Sequence, residues 1–212
     1  MTGLRGSVTL LLTLMLSALL APSMARLSFS WTLHVERVWE APSAGTAAVH
    51  ARQLVAKNIW ATLSTLSVEF GGMPFGHIVS YSDGVGSDLK NSTGHLYFYL
   101  TKLDDAGKNL AADARASVSI SMAQEGEHAC KMDVEDPTCW KLTLLGKVVR
   151  VPADKQQIAL DALFSKHPQM ASWPSDHGFH AYMLDIEHLI LLDFYGGAKS
   201  IKPEEYYRVE LE

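Results

Sequence analysis

Residues 91–93 have the types and order of a covalent modification site. Asn91, Ser92 and Thr93 form the Asn-x-Thr pattern that accepts an N-linked glycan. The preceding residues, 83–88, are rich in Gly, Asp and Ser, which is typical of an exposed loop. Because such glycans are carried on surface loops of secreted proteins, we predict that Asn91 is glycosylated.

Cys130 and Cys139 are the two cysteines of the chain, and eight residues separate them. An even number of cysteines in a secreted chain predicts a disulfide, and Asp136-Pro137 between them indicates a turn. The alternative is a redox or metal-binding pair. The Cys-x-x-Cys spacing of such pairs is absent, so a structural disulfide is favoured.

His177 and His180 lie three residues apart beside Asp176, a combination that can bind a metal ion when it lies on a helix. Pro174 and Gly178 indicate that this segment is a loop instead. We therefore predict no metal-binding residue here.

Glu204 and Glu205 are the nearest approach to a catalytic pair of carboxylates. We expect them at the start of a short final strand, residues 206–211. Successive residues of a strand point to opposite faces, so the two carboxylates could not act together as acid and base. A Gly-x-Ser-x-Gly nucleophile motif is also absent, and we predict no catalytic residue.

The first 25 residues resemble a cleavable secretory signal peptide. Arg5 precedes an apolar run at residues 8–20, and Ser23-Met24-Ala25 places small residues at the cleavage site. The run is short for a membrane-spanning helix, although an uncleaved anchor is the alternative. No later stretch is long and apolar enough to cross a membrane, so we expect no membrane insertion after cleavage.

The charge balance argues against one class of partner. The chain has 18 Lys and Arg against 23 Asp and Glu, a formal net charge of −5, and its basic residues form no cluster. A nucleic-acid-binding protein needs a basic patch or stripe. We therefore predict no nucleic-acid partner.

The hydrophobic periodicity predicts a mainly β domain over residues 44–212, preceded by a flexible lead-in at residues 26–43. The expected helices are residues 44–58, 103–112 and 153–166, the last with Ile158, Ala162 and Leu163 buried. The expected strands are residues 59–70, 74–82, 96–100, 117–122, 140–151 and 182–195, followed by the short strand at 206–211. Six hairpin-linked strands with few helices predict a closed antiparallel β-barrel with flanking helices.

Several particular segments together carry a resemblance to a known family. They include Trp60-Ala61-Thr62-Leu63-Ser64-Thr65, Gly72-Met73-Pro74-Phe75, Leu96-Tyr97-Phe98-Tyr99-Leu100, residues 173–180, Asp193-Phe194-Tyr195-Gly196-Gly197 and Pro203-Glu204-Glu205-Tyr206-Tyr207. With the cysteine pair, they make residues 48–209 similar to the CREG family of secreted or lysosomal glycoproteins. The resemblance implies a six-stranded antiparallel split barrel of the FMN-binding, pyridoxamine 5′-phosphate oxidase (PNPOx)-like type.

The resemblance also implies a function and a location. Members of this family are homodimers thought to lack flavin, and their role is non-catalytic. They modulate cell growth, differentiation or lysosomal function through protein contacts, outside the cell or in the endolysosomal system. A glycan, for which Asn91 is the candidate, would engage the mannose 6-phosphate receptor.

The basic residues support the expectation that no flavin is bound. An FMN phosphate needs several converging cations or backbone N–H groups. Residues 77–81 of the second strand contain no Arg or Lys, which leaves Lys108 and Arg115. We therefore predict no cofactor-binding residue. The alternative function is an FMN-dependent oxidoreductase of the PNPOx-like class, with its site in the dimer-interface pocket.

Overall fold

A computed structural model of the chain describes residues 44–212, so the predictions for residues 1–25 and 26–43 lie outside the described residues. The described helices are α1 (Ala44–Lys57), α2 (Asp105–Ala112), α3 (Gln156–Lys166) and α4 (Pro203–Tyr207). The described strands are β1 (Trp60–Leu66), β2 (Pro74–Ser82), β3 (Tyr97–Leu100), β4 (Arg115–Ser121), β5 (Lys141–Arg150), β6 (His180–Leu192) and β7 (Lys199–Ile201). Among these helices, none is long and apolar enough to cross a membrane.

The strands form one antiparallel sheet in the order β3-β2-β1-β4-β5-β6-β7. β3 also pairs with β6, and this pairing closes strands β1–β6 into a six-stranded barrel. β7 continues the sheet beyond β6 through pairs such as Ile190 with Ser200. The predicted six-stranded antiparallel barrel with flanking helices is therefore confirmed.

The barrel interior is filled by alternate residues of each strand, as the period-two pattern predicts. On β4, Val118 and Ile120 are buried, and on β1 the buried apolar positions are Ala61 and Leu63. Helix α1 packs its own apolar face against this core. Its buried residues include Ala47, Ala48, Ala51, Leu54 and Val55.

The first strand ends at Leu66, so the prediction that it continues to Phe70 is wrong. Residues 67–72 form a turn instead, in which Ser67 accepts a hydrogen bond from the Gly72 N–H at 2.7 Å. Gly71 and Gly72 both have positive φ, a conformation that glycine adopts without strain. The turn leaves Val68 and Phe70 exposed.

The C-terminal prediction also needs correction, because residues 203–207 are helical and the last strand is β7. Pro203 begins α4 at a position where the missing N–H would have had no helical partner. Tyr206 anchors the helix through its buried side chain. Glu204 and Glu205 therefore lie in a helical turn, and the expectation that they point to opposite faces of a strand is wrong.

Helix α3 buries Ala162 and Leu163 as predicted, but the prediction for Ile158 is wrong. Ala159, Ala162 and Leu163 are buried, whereas Ile158 is 60% exposed. The helix begins at Gln156, after a separate 3-10 turn at Ala153–Lys155. The buried residues follow the i, i+3, i+4 spacing from Ala159, and Ile158 lies outside that set.

Candidate functional site

The candidate glycosylation site lies at the end of a short 3-10 turn, Leu89–Asn91. The Asp88 side chain begins this turn by accepting the Lys90 N–H at 3.0 Å. Asn91 is exposed, and its Nδ2 donates to the Val85 carbonyl at 3.1 Å. Gly84 allows the loop to close, because a Cβ at this position would lie 1.9 Å from the Asn91 carbonyl oxygen.

Asp83 lies directly beneath this loop with its side chain fully buried. Lys166 of α3 approaches one carboxylate oxygen, with 2.7 Å between Nζ and Oδ1. The Ser92 hydroxyl donates to the other oxygen, Oδ2. The Asp83 backbone carbonyl accepts the Thr93 hydroxyl at 2.7 Å. All three residues of the sequon are therefore hydrogen-bonded within this loop, Asn91 to Val85 and both Ser92 and Thr93 to Asp83.

Arg52 of α1 extends this cluster to the end of the chain. The residue is 1% exposed, and its Nη2 donates to the Ser92 carbonyl at 2.7 Å and to the Ser92 hydroxyl at 3.1 Å. Nη1 donates to the Val209 carbonyl at 2.7 Å. We call Arg52, Asp83, Ser92 and Lys166 the Asp83 network. It connects α1, the sequon, α3 and the C-terminal segment.

Two buried phenols lie close to the Asp83 network. Tyr206 donates to the Gly94 carbonyl at 3.0 Å, and Tyr81 donates to the Val55 carbonyl at 2.7 Å. Burial raises the pKa of both phenols well above the ordinary value of 10.0. Both side chains therefore remain neutral donors at physiological pH.

A second cluster surrounds Asp193, which follows β6 and whose side chain is also fully buried. Asp193 Oδ1 lies 2.7 Å from Lys199 Nζ, and Oδ2 lies 2.9 Å from His50 Nδ1. The His50 ring stacks on Trp140, with 3.8 Å between the ring centroids. We call His50, Asp193 and Lys199 the Asp193 network.

Asp193 borders a cavity of about 540 Å³. The cavity is lined by Met122, Ala129, Lys131, Thr138, Trp140, Asp193, Phe194 and Tyr195. One wall belongs to the loop closed by the Cys130–Cys139 disulfide, a pairing that the structure contains as predicted. The Tyr195 hydroxyl donates to Asp136 of that loop at 3.0 Å. A mainly apolar wall with few polar groups is typical of a small-molecule pocket.

The two candidate phosphate-binding cations do not converge. Lys108 lines a cleft of about 490 Å³ that also contains Glu69 and Asp105, and its Nζ lies 3.1 Å from Asp105 Oδ1. Arg115 lies in a different groove, paired with Asp113 at 2.6 Å. FMN, which the fold family implies, carries a phosphate that needs several converging donors. Lys108 and Arg115 therefore do not together form a site for that phosphate within one chain.

The His177–His180 segment is held by contacts that are not those of a metal site. The His177 carbonyl accepts the Thr101 hydroxyl at 2.5 Å. His180 Nδ1 lies 2.9 Å from the Arg150 guanidinium, and burial together with that charge lowers the pKa of His180. Over residues 44–212, no three His, Cys, Asp or Glu side chains lie close enough to hold a metal ion.

The outward-facing side of the sheet carries two rows of uncharged side chains that cross five strands. The first row is Ile78, Thr62, Ser119, Thr143 and Ile190, and the second is Gly76, Ser64, Ser117, Leu145 and His188. We call these two rows the outer face. Ile78 is 70% exposed, and neither row contains Asp, Glu, Lys or Arg. Small hydroxyl side chains at the centre leave it open to close approach by another surface.

Sequence reasoning missed the charged residues of both networks. Arg52 offered a signal, because it lies on the same helical face of α1 as the buried Ala48 and Val55. A charge on an apolar helical face indicates a buried partner. Asp83 and Asp193 offered no comparable signal, because both follow strands at positions where exposed loop residues are usual.

The fold is shared with solved structures of other proteins. A heme-binding protein from Mycobacterium smegmatis superposes with a TM-score of 0.61 at 25% identity, covering 81% of this chain and 62% of that one. A Clostridium acetobutylicum protein of the pyridoxinephosphate oxidase family gives a TM-score of 0.51 at 13% identity, covering 77% of this chain and 99% of its own. The second likeness shows a common fold alone.

Sequence comparison identifies the family. The chain is 37% identical to human CREG2 over 171 residues, which cover 79% of this chain and 58% of that protein. It is 36% identical to chicken CREG1 over 174 residues, which cover 80% of this chain and 89% of that protein. Residues 42–208 match the family model described as "CREG, beta-barrel". The chain therefore belongs to the CREG family of β-barrel proteins.

Proposed function

We propose that this chain is a secreted, N-glycosylated, homodimeric protein that acts without catalysis, outside the cell or in the endolysosomal system. Its surface contacts other proteins and thereby modulates cell growth, differentiation or lysosomal function. Membership of the CREG family supports this assignment as a whole. The observation that supports a non-catalytic role is the charge of the Lys108 cleft, which is unfavourable for an anionic cofactor.

The Lys108 cleft is a poor site for an anionic cofactor. Its one cation is paired with Asp105, and Glu69 adds a second carboxylate to the lining. A phosphate in this cleft would meet a net negative lining, which repels it. Asn109, an uncharged polar residue of the same lining, is already engaged, because it donates to Thr65 at 3.0 Å and accepts the Val68 N–H at 2.9 Å.

The outer face supports the homodimer. A second copy could bury these rows against its own, so no Asp, Glu, Lys or Arg of the rows would be desolvated without a partner. Charged residues begin at the border of the face, where Lys147 pairs with Glu187 at 3.3 Å. An uncharged centre with a charged border is the usual anatomy of a protein interface.

The exposed Asn91 side chain supports the glycan and its receptor. Because Asn91 lies on a surface loop, an attached glycan would extend into solvent without displacing core residues. A glycan in that position is accessible to the mannose 6-phosphate receptor, which we propose as a partner.

Titration of the purified secreted protein with FMN tests the non-catalytic proposal. After gel filtration, flavin absorbance and fluorescence are read together with the mass of the eluting species. We expect a flavin-free dimer. Stoichiometric retention of FMN would instead support the alternative, an FMN-dependent oxidoreductase. A parallel titration with haemin tests the ligand named for the mycobacterial protein.

A matched pair of substitutions tests the proposed interface. Ile78→Lys places a charge on the outer face, whereas Ile158→Lys places one on α3, and these two isoleucines are 70% and 60% exposed. We expect Ile78→Lys to elute as a monomer and Ile158→Lys to remain a dimer. Two variants with the same mass would place the interface elsewhere.

A further inference from the structure

We propose that Asn91 is efficiently glycosylated only before the chain folds, because the completed Asp83 network closes the sequon. This inference rests on the proposed glycosylation of Asn91 and concerns its timing. It makes the folded, unmodified protein a poor acceptor for the glycosylating enzyme.

The first step is that the groups needed for modification are already engaged in the folded chain. The transferase must reach the Asn91 amide and bind the Thr93 hydroxyl in an extended sequon. Here Asn91 Nδ2 donates to Val85, and Thr93 Oγ1 donates to Asp83. Asn91 also ends the 3-10 turn Leu89–Asn91, which the Ser92 N–H closes by donating to the Leu89 carbonyl at 3.0 Å.

The reaction itself shows why this engagement matters. Nδ2 of Asn91 forms a bond to C1 of the first sugar, and the bond from C1 to the lipid diphosphate oxygen breaks. The lipid diphosphate leaves with the electron pair, and a base of the transferase takes one Nδ2 proton. Both Nδ2 and the Thr93 hydroxyl must leave their present acceptors before this can occur.

The second step is that the contacts that hold the loop come from distant parts of the sequence. Lys166 follows Asp83 by 83 residues. Tyr206 follows Gly94, whose carbonyl accepts its hydroxyl, by 112 residues. Val209, which accepts from Arg52, lies 157 residues after that arginine. During synthesis Asn91 is therefore exposed long before its loop can be fixed, since chains emerge from the N-terminus.

The third step is that a glycan added early does not prevent folding. The Asn91 amide has two hydrogens, so it can carry a sugar and still donate one hydrogen to Val85. The residue is exposed, which leaves room for the sugar on the solvent side. Closure of the sequon therefore excludes late modification without excluding the glycosylated product.

Acceptor assays with the full chain test this inference. Chain made in bacteria is folded with its disulfide formed and then incubated with purified oligosaccharyltransferase and a lipid-linked oligosaccharide. A peptide of residues 83–99 serves as the open acceptor. We expect the peptide to be modified and the folded chain to be modified at least about tenfold more slowly, because reaction requires opening of the loop.

Two variants open the network while keeping a valid Asn-x-Thr sequon. Lys166→Met removes the ion pair, and Ser92→Ala removes the bridging hydroxyl while leaving a valid Asn-x-Thr sequence. Lys147→Met, at an exposed lysine, is the control. We expect the first two to be modified about tenfold or more faster than the control, with near-ultraviolet circular dichroism verifying that all are folded.

The possible failures are distinguishable. If the folded chain is modified as fast as the peptide, or if both variants react at the control rate, the proposed closure of the sequon is wrong. The proposed glycosylation of Asn91 is then unaffected. If the peptide itself is refused, the proposed glycosylation of Asn91 is wrong, and the inference about its timing is lost with it.

Discussion

The Asp83 and Asp193 networks use the same central residue in different surroundings. Each carboxylate is fully buried, and each has a lysine Nζ at 2.7 Å from one oxygen. At Asp83 the lysine side chain is 7% exposed, and the other oxygen accepts from a serine hydroxyl. At Asp193 the lysine is 23% exposed, and the other oxygen meets His50.

The two networks differ in what they connect. Arg52 donates to the Ser92 and Val209 carbonyls, so the Asp83 network links α1 to the sequon and to the C-terminal segment. Asp193 instead borders a cavity of about 540 Å³, and its partner His50 stacks on Trp140 of the cavity wall. The Asp83 network therefore joins distant parts of the chain, whereas the Asp193 network lies beside an open space.

The largest expected effect separates the two networks through the same substitution. Asp83→Asn leaves the buried Lys166 without a counter-ion, which we expect to lower the free energy of unfolding by about 3–5 kcal/mol. Asp193→Asn should cost less, because Lys199 can reach solvent and His50 Nδ1 can still form a hydrogen bond to the new side chain. Urea denaturation of both variants measures the difference. Equal losses would show that the two networks are energetically equivalent.

A second test addresses the loop beside the Asp193 network. Replacing Cys130 and Cys139 together by alanine opens a ten-residue loop, for which the chain-entropy model gives a loss of about 2–3 kcal/mol. Reduction of the wild-type chain should produce a similar loss. The same reductant should leave the double variant unchanged. A double variant as stable as the oxidised wild type would mean that this loop contributes nothing to the fold.

The barrel could be predicted from sequence because its determinants are local. Alternating residues such as Val118 and Ile120 indicate which side of a strand is buried, and the predicted second strand has the bounds of β2. The same local reasoning assigned residues 206–211 to a strand. It failed there because Pro203 and the contacts of Tyr206 with Gly94 favour a helix.

The candidate site was only partly predictable. Asn91 and the cysteine pair are visible as motifs, because the chemistry of each requires a fixed local pattern. The pairing of Asp83 with Lys166 is set by how α3 docks on the barrel, 83 residues away in sequence. The outer face is hard to predict for another reason, because Thr62 or Ser119 alone indicates only a solvated position on a strand.

A third test compares one hydroxyl from each region. Tyr206→Phe leaves the buried Gly94 carbonyl without its donor, which should lower the free energy of unfolding by about 1 kcal/mol. Tyr195→Phe removes a donor to Asp136 at the surface, where water can replace it, so we expect no measurable change. Both are measured by thermal or urea denaturation. If Tyr195→Phe lowers the free energy of unfolding as much as Tyr206→Phe does, the cavity wall at Tyr195 is as rigid as the loop that contains the sequon.

The smallest effect concerns pH, and it comes from His95 beside the Asp83 network. The His95 ring stacks on Tyr207 with 4.7 Å between centroids. Its Nδ1 is buried without a hydrogen-bond partner among residues 44–212. Burial, together with the nearby charge of Arg52, lowers the pKa of His95 from its ordinary value of 6.5.

The sign of this shift sets the direction of the pH dependence. Below pH 6.5 the unfolded chain binds a proton at His95 before the folded chain does. The contribution of His95 to stability is therefore complete above pH 6.5 and is lost as the pH falls through the lowered folded value. His95→Phe keeps an aromatic ring against Tyr207 and should make the fall in unfolding free energy between pH 7 and 5 shallower. His128→Phe, at an imidazole whose side chain is 88% exposed, should leave the slope unchanged. If His95→Phe loses as much unfolding free energy between pH 7 and 5 as the wild-type chain does, His95 is not the source of this pH dependence.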